Sequence, residues 1–330
     1  MRAPLLLAAL ALLGCGASGP AVRSAPTPEA ARLVTDDLAR FYAVFDALPD
    51  SVSARVAARR FRERYFAPGT TGLRAFRDRT GSDDAFAEAV LERRRFYAAI
   101  RGTVLDRSGD AALMDSVRAA YRALAAVYPE ATFPDVYAVV GRLSTGGTVK
   151  TPGVVIGEEH GAATADTPVD ELTAWQRSRG LSPRGDRLPL IVHEAMHAQQ
   201  RPFRQRTRGR RAVAEGCPDY LAERFAGRHP NAAAERWAAP RRAELTSEFM
   251  AAWDSEDLGD WFFRVPDREG DPGRPVDLGY TVGKWICEAY VERAADPEAA
   301  LREVIRLDDP DRILRESGLA PEASGGAEAP

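Results

Sequence analysis

The chain has 330 residues, 45% of them hydrophobic, and a formal net charge of −3. This length and composition suffice for a buried hydrophobic core, which excludes a disordered chain or a small disulfide framework. Arginines and acidic residues are interspersed along the chain, which indicates solvated helix faces rather than a nucleic-acid surface. The densest basic stretch, residues 201–211, is predicted to be an exposed loop rather than a site for an anionic partner.

The first fifteen residues, MRAPLLLAALALLGC, predict an export signal: one arginine, an apolar run and a small-residue step. The apolar run is too short to span a bilayer as a helix. The step resembles the bacterial lipobox, in which Cys15 becomes lipid-modified; an ordinary signal peptide that contains a cysteine is the alternative. Gly16 follows instead of aspartate, so we expect an exported protein, lipid-anchored in the cell envelope at the outer membrane.

The remaining chain divides into four predicted parts. Residues 16–27 are predicted to be a flexible tether and residues 319–330 a disordered tail. Residues 28–130 have apolar residues at helical spacing and no catalytic constellation, which predicts a helical N-terminal region. Residues 131–318 contain every candidate for chemistry.

The β-branched stretches 136–140 and 148–156, separated by the turn residues 144–147, predict an antiparallel β-hairpin. Helical patterns return at residues 187–201, 212–226, 231–254 and 277–294, with two shorter ones after them. The predicted fold class is therefore α+β, mostly α-helical, with a small antiparallel hairpin or sheet.

The segment LPLIVHEAMHAQQRP, residues 188–202, is apolar apart from a few side chains that include His193, Glu194 and His197. On a helix, the two histidines lie one turn apart on one face, with Cβ atoms about 5–6 Å apart. This is the H-E-x-x-H motif of metallopeptidases, in which a metal lowers the pKa of bound water and the glutamate acts as general base. The alternative, a surface helix with incidental histidines, fits the apolar flanks poorly.

A catalytic zinc site needs a third protein ligand. In AEGCPDYLAE, Glu215 and Asp219 are four residues apart and would share a helix face. We expect Glu215 to be the third ligand and Asp219 to accept a hydrogen bond from a ligand histidine. An ordinary helix-surface carboxylate is the alternative for Glu215. Pro218 lies within this predicted helix, which puts Glu215 on a first turn or at a kink.

H-E-x-x-H followed by E-x-x-x-D resembles the gluzincin metallopeptidases, and this resemblance implies Zn²⁺ and zincin-like active-site helices. A narrower resemblance, to the bacterial family of predicted Zn-dependent proteases related to gliding-motility lipoproteins, spans about residues 60–318. It implies a mostly helical metallopeptidase-like domain. The segments that carry it are VYAVVGRLSTGGTV, GVVIGEE, LPLIVHEAMHAQQ, AEGCPDYLAE, DLGYTVGKWICEAY and DRILRESGL.

Peptide hydrolysis also needs a hydrogen-bond donor for the developing oxyanion, and often a sheet edge along which substrate lies. Tyr280 is the first choice for the donor, with a packing role equally compatible; Tyr220 and His160 follow. Residues 147–157 are the predicted substrate edge.

Four further side chains are weighed and set aside as catalytic or second-site groups. A second metal site at His160 is disfavoured, because adjacent residues on a strand point to opposite sides. His229 is predicted to be solvent-exposed. Cys217 lacks a base for thiol catalysis, and its pairing with Cys287 is left open.

Together these features predict an exported, lipid-anchored zinc metallopeptidase that acts on a peptide or protein substrate. His193, His197 and Glu215 would hold Zn²⁺, and Glu194 would activate water. No nucleic-acid partner is expected, the membrane is contacted through the lipid anchor, and no oligomeric state is indicated. A non-catalytic metal-binding lipoprotein of the envelope and a hydrolase of non-peptide amides are the alternatives.

Overall fold

The computed structural model describes residues 22–178, 187–262 and 273–319. The predicted signal peptide with Cys15 lies outside these residues, as does the predicted tail beyond residue 319. Within the described part, no helix is both long and apolar enough to cross a bilayer. The predicted tether is described from residue 22, where Arg23 donates to the carbonyl of Thr151 (2.7 Å) and Ala25 to that of Phe133 (2.9 Å). The packed body therefore begins earlier than predicted.

The N-terminal half is helical, as its periodicity predicted. Its helices are α1 (Asp36–Phe45), α2 (Ala54–Phe61), α3 (Thr71–Ala75), α4 (Arg77–Thr80), α5 (Asp83–Glu92), α6 (Arg94–Leu105) and α7 (Asp110–Val127). An aromatic cluster forms the core beneath α1 to α6, in which Phe41, Phe61, Phe86 and Tyr97 are fully buried. Edge-to-face contacts such as Phe61 against Phe86, at 5.2 Å between centroids, give these rings defined positions.

A four-stranded sheet follows, made of β1 (Leu33–Val34), β2 (Asp135–Val139), β3 (Gly147–Lys150) and β4 (Gly153–Gly157) in the order β1-β2-β4-β3. The prediction that residues 136–140 and 148–156 form one hairpin was wrong. Strand β2 pairs in parallel with β4, and the hairpin joins β3 to β4. Residues 33–34, predicted as helix, pair in parallel with β2. The sheet is therefore mixed rather than antiparallel.

The second half returns to helices. They are α8 (Ala174–Ser178), α9 (Arg187–His197), α10 (Arg208–Ala226), α11 (Ala232–Ala238), α12 (Arg242–Met250), α13 (Leu278–Arg293), α14 (Pro297–Arg306) and α15 (Pro310–Glu316). The single helix predicted for 231–254 is split by a 3₁₀ turn around Pro240, which cannot donate a backbone hydrogen bond. The mostly helical α+β class is confirmed.

The sheet separates two hydrophobic cores, because side chains alternate along its strands. Tyr137 and Val155 face the aromatic cluster of the N-terminal helices. Val136, Val154 and Ile156 face the other way, toward a core that includes α7, α9, α10 and α13. The fold thus has a helical layer on each face of the sheet, and the candidate site lies in the second layer.

Helices α10 and α13 approach each other more closely than side chains would allow. A Cβ atom on Gly216 would lie 2.2 Å from the carbonyl carbon of Gly283, and one on Gly283 would lie 1.9 Å from the oxygen of Ala212. A disulfide between Cys217 and Cys287 links the same two helices, which resolves the pairing that the sequence left open. The two helices therefore form one tightly joined unit.

Glu159 is a buried carboxyl at the end of β4. It lies in a 3₁₀ turn, is 0% exposed, and accepts hydrogen bonds from the backbone N–H groups of Gly141 (2.9 Å) and Leu143 (3.1 Å). Burial raises its pKa to about 7, although these hydrogen bonds act in the opposite direction. The group ties the turn after β2 to the end of β4.

This carboxyl makes the free energy of unfolding depend on pH. Its pKa is raised from 4.5 to about 7 on folding, so the folded state prefers the protonated form and loses stability as pH rises through this window. Glu159→Gln removes the titration. Relative to the variant, the wild type should lose roughly 2–3 kcal/mol between pH 5 and pH 8. Urea unfolding of both metal-free proteins checks this, and a difference that stays the same at both pH values would contradict it.

Candidate metal centre

Helix α9 holds His193, Glu194 and His197 against the second core. Ile191, Val192, Ala195 and Met196 are each 0–1% exposed and fix the helix among its neighbours. At its first residue, Arg187 pairs with Glu158 (2.7 Å) and with Asp110 (3.2 Å), which anchors the helix to the sheet and to α7. His193 and Glu194 are consequently buried, and His197 is partly buried.

Helix α9 ends at His197, four residues before the predicted end. Ala198 and Gln199 continue in a tighter turn, donating to the carbonyls three residues back (Ala195, 3.2 Å; Met196, 3.0 Å). Pro202 disfavours helical geometry at Arg201, whose N–H instead donates to the carbonyl of Arg306 (2.7 Å). This turn directs Gln200 back toward the site.

Helix α10 carries Glu215 and Asp219. It runs unbroken from Arg208 to Ala226 with Pro218 in its interior. Glu215 is therefore well inside the helix rather than on a first turn, which corrects that expectation. Both carboxylates are buried, Glu215 at 8% and Asp219 at 2% exposure.

The structure brings His193, His197 and Glu215 together. One ligand atom from each lies within 4.8 Å of the other two. The Nε2 atoms of His193 and His197 are 3.2 Å apart. Oε2 of Glu215 lies 3.3 Å from Nε2 of His197 and 3.7 Å from Nε2 of His193. Two imidazole nitrogens and a carboxylate oxygen thus converge on one point, and such a group can hold a metal ion.

The far sides of both imidazoles also have partners. Nδ1 of His193 lies 2.7 Å from Oδ1 of Asp219, the contact expected from the sequence. Nδ1 of His197 lies 2.9 Å from Oε1 of Gln200, a residue that the sequence reasoning missed. The one feature of the sequence that could have indicated Gln200 is its position three residues after His197. With each Nδ1 donating outward, each Nε2 is available as a ligand atom.

Arg211, also missed, contacts the third carboxylate from the opposite side. Its Nη2 lies 3.0 Å from Oε1 of Glu215, one turn along α10, and its Nη1 donates to Oε1 of Gln205 (2.9 Å). The two oxygens of Glu215 therefore have separate neighbours: the guanidinium faces Oε1, and the histidines face Oε2.

Burial and charge pull the pKa values of this cluster in opposite directions. Burial lowers the pKa of His193, but the hydrogen bond and charge of Asp219 outweigh it and raise the pKa well above the ordinary value. Burial raises the pKa of Glu215, yet the charge of His197 and hydrogen bonds from both histidines bring it well below its usual range. Burial and the neighbouring charges therefore act against each other at both His193 and Glu215.

Glu194 lies beside the cluster and against the sheet. Burial raises its pKa, with the charges of His197 and His193 opposing. A Cβ atom on Gly147 would lie 2.9 Å from both Cγ and Oε1 of Glu194, so any larger residue at the start of β3 would force the Glu194 side chain to shift. Strand β3 pairs with β4 on one side and with no described strand on the other. The carboxyl therefore lies next to a sheet edge.

The three candidates for the oxyanion donor, Tyr280, Tyr220 and His160, have different neighbours. The ring of Tyr280 stacks on that of His193 at 6.2 Å between centroids, and its hydroxyl interacts with Arg211. Tyr220 instead interacts with Arg224. His160 lies in the 3₁₀ turn after β4, next to Gly146, and is not part of the metal-competent group among the described residues.

The prediction that His229 is solvent-exposed was wrong. Its side chain is 5% exposed, and its Nε2 lies 3.8 Å from Oε2 of Glu235. Its Nδ1 accepts a hydrogen bond from the backbone of Asn231 (2.8 Å). It packs under α11 rather than in an open loop, because the chain after Pro230 turns directly into that helix.

Comparison with known proteins adds no assignment. No family model matches the chain, and neither a curated protein nor a solved structure matches it. The resemblance to gluzincins and to the lipoprotein family therefore stays a prediction from the quoted motifs.

Proposed function

We propose that this protein is a zinc-dependent metallopeptidase in which Glu194 is the general base. The observation that carries the proposal is the convergence of His193 Nε2, His197 Nε2 and Glu215 Oε2 on one point, with the carboxyl of Glu194 beside them. A purely structural zinc site needs no additional buried carboxyl beside its ligands, and catalytic zinc sites commonly use three protein ligands with one position open.

The donor set fits zinc. Two imidazoles and one carboxylate match the borderline preference of Zn²⁺, whereas Ca²⁺ and Mg²⁺ favour sites made mainly of oxygen. His193, His197 and Glu215 would hold the ion, and Asp219 would orient His193 through the 2.7 Å contact. A bound zinc ion would lower the pKa of water and polarise the peptide carbonyl.

The remaining chemistry belongs to side chains of this chain. Glu194 takes a proton from the attacking water and delivers it to the leaving amine. One carboxylate can serve as base and then as acid, because the proton it takes from water is the one it returns to the amine. Tyr280, whose ring stacks on that of His193, would donate a hydrogen bond to the oxyanion. Strand β3 supplies an edge along which an extended peptide would lie.

The proposed location is the bacterial cell envelope, with a lipid on Cys15 as the anchor. This part of the proposal rests on the first fifteen residues of the sequence, where an apolar run ends at Leu-Leu-Gly-Cys. The substrate class would then be peptides or proteins of the envelope or beyond it.

Metal content and peptide cleavage, measured together, test the proposal. We expect about one zinc per chain and cleavage of a peptide library that stops on chelation and returns on adding Zn²⁺. Absence of zinc from the purified protein would overturn the site. Stoichiometric zinc without cleavage would favour a non-catalytic metal-binding lipoprotein.

Glu215→Ala tests the third ligand. Its zinc affinity should fall by more than the roughly 10- to 100-fold that loss of an outer partner costs, because a ligand itself is removed. Glu223→Ala is the matched control: it lies on the same helix, is 43% exposed and pairs with Lys284. Equal zinc affinity in the two variants would contradict the role of Glu215.

A further inference from the structure

Gln200 joins the metal site to the interior of helix α10. Its Oε1 lies 2.9 Å from Nδ1 of His197. Its Nε2 donates to the backbone carbonyl of Ala214 at 2.9 Å. Ala214 is fully buried and directly precedes Glu215. One amide therefore contacts both ligand-bearing helices.

The carbonyl of Ala214 is available because of Pro218. In a regular helix, the N–H of residue 218 would donate to the carbonyl of residue 214. Proline has no N–H, so Ala214 lacks this intrahelical bond although the helix continues past it. A buried carbonyl without a donor is costly, and the amide of Gln200 takes the vacant place.

This contact determines which way the amide points and, through it, the state of His197. A carbonyl only accepts hydrogen bonds, so the NH₂ group of Gln200 must face Ala214 and its Oε1 must face the imidazole. Because Oε1 also only accepts, Nδ1 of His197 must carry the hydrogen. The neutral ring then has its lone pair on Nε2, which faces His193 and Glu215.

We propose that Gln200, held by the Ala214 carbonyl that Pro218 leaves free, is the positioning residue for the second histidine ligand. The inference rests on the proposed metal site but not on its catalytic role. It gives the two histidines different partners: the carboxylate Asp219 orients His193, and a neutral amide orients His197. Because Pro218 has no N–H, it leaves the Ala214 carbonyl free to accept the hydrogen bond that holds Gln200.

Zinc affinity, measured with Zn²⁺ alone by chelator competition, tests the glutamine. Gln200→Leu should weaken affinity by roughly 10- to 100-fold, the usual cost of losing an outer partner of a ligand histidine. Gln199→Leu is the matched control. Among the described residues, the side-chain amide of Gln199 bonds to Thr132 and Ala195 rather than to the metal-site side chains, so this variant should lose stability and keep its zinc affinity. If Gln200→Leu does not fold, Gln200→Ala replaces it.

Wild-type zinc affinity in a folded Gln200→Leu protein would overturn the proposal, as would an equal loss in the Gln199→Leu control. Failure of the wild type to bind zinc is a different result, because it removes the metal site itself. Binding without peptide cleavage leaves this proposal standing while it removes the proposed enzyme.

Pro218→Ala tests the role of the free Ala214 carbonyl, because it should raise the free energy of unfolding and lower zinc affinity. The new N–H should complete the helix and raise the free energy of unfolding, while competition for the Ala214 carbonyl weakens zinc binding several-fold. In the Gln200→Leu background, the same substitution should leave zinc affinity unchanged. An equal loss of zinc affinity in both backgrounds, or no loss in the wild-type background, would overturn the role of Pro218.

Discussion

We expect Glu194→Gln to abolish nearly all of the proposed peptide cleavage and to leave metal binding in place. We expect the rate to fall by roughly 10²- to 10⁴-fold, the usual contribution of general acid–base catalysis. The carboxamide has nearly the same shape, so it fits the space between the cluster and Gly147. It cannot accept a proton at neutral pH. The atoms of His193, His197 and Glu215 that converge are not touched by the change.

Rates, zinc content and unfolding temperature of the same preparation separate the possible outcomes. Glu223→Gln on α10, a partly exposed carboxylate that pairs with Lys284, is the control and should keep wild-type activity. If Glu194→Gln retains more than about a tenth of the rate, the assignment of the base is wrong. If it loses zinc, Glu194 is a ligand rather than a base.

The double substitution of Cys217 and Cys287 by alanine has the largest expected effect on stability. The disulfide joins residues 70 apart in sequence, and closing a loop of that length in the unfolded chain stabilises the folded state by about 4 kcal/mol. Both cysteines are fully buried between α10 and α13, so their loss also removes packing. Urea unfolding of the oxidised wild type and the variant measures the difference.

The zinc affinity of the double variant provides the second readout. Since the glycine contact between the helices does not depend on sulfur, we expect a folded variant to bind zinc with nearly wild-type affinity below the denaturation midpoint. A stability loss below about 1 kcal/mol would contradict the loop-closure argument. A folded variant without zinc binding would show that the disulfide itself positions Glu215.

The helix face on which each metal-competent side chain lies follows from local spacing, whereas the meeting of Glu215 with the histidines was expected from the resemblance to gluzincins. Two histidines four residues apart must share a helix face, and the same offset brings Glu215 and Asp219 to one face of the next helix. The apolar flanks of H-E-x-x-H predicted burial. These inferences need only a helix and its period, which is why they could be made from sequence.

Strand pairing could not be predicted in the same way. The β-branched residues within 136–157 predicted strands, but they did not show that β2 and β4 pair in parallel or that residues 33–34 add β1 to the sheet. The pairing of β1 with β2 joins residues about 100 apart, and local β-propensity encodes neither which strands pair nor in which direction. The break in the helix at Pro240 could have been predicted from the proline alone, but the sequence analysis missed it.

Gln200 and Arg211 were missed because their roles need two segments at once. Gln200 acts where the turn after α9 meets α10, and Arg211 acts where α10 meets the first turn of α13 at Tyr280. In a chain rich in arginine, neither residue stands out by type. His229 was misjudged for the same reason, since its burial is set by packing under α11.

The glycine contact between α10 and α13 also limits which elements around the candidate site can move. Gly216 and Gly283 hold these helices backbone to backbone, so Glu215 and Tyr280 travel together when the protein fluctuates. Under the proposed function, adjustment to substrates of different width would then fall to β3, an edge strand among the described residues that begins at Gly147. Selectivity for the shape of a substrate would accordingly be tuned by changes in β3 and its turns, with α10 and α13 left as they are.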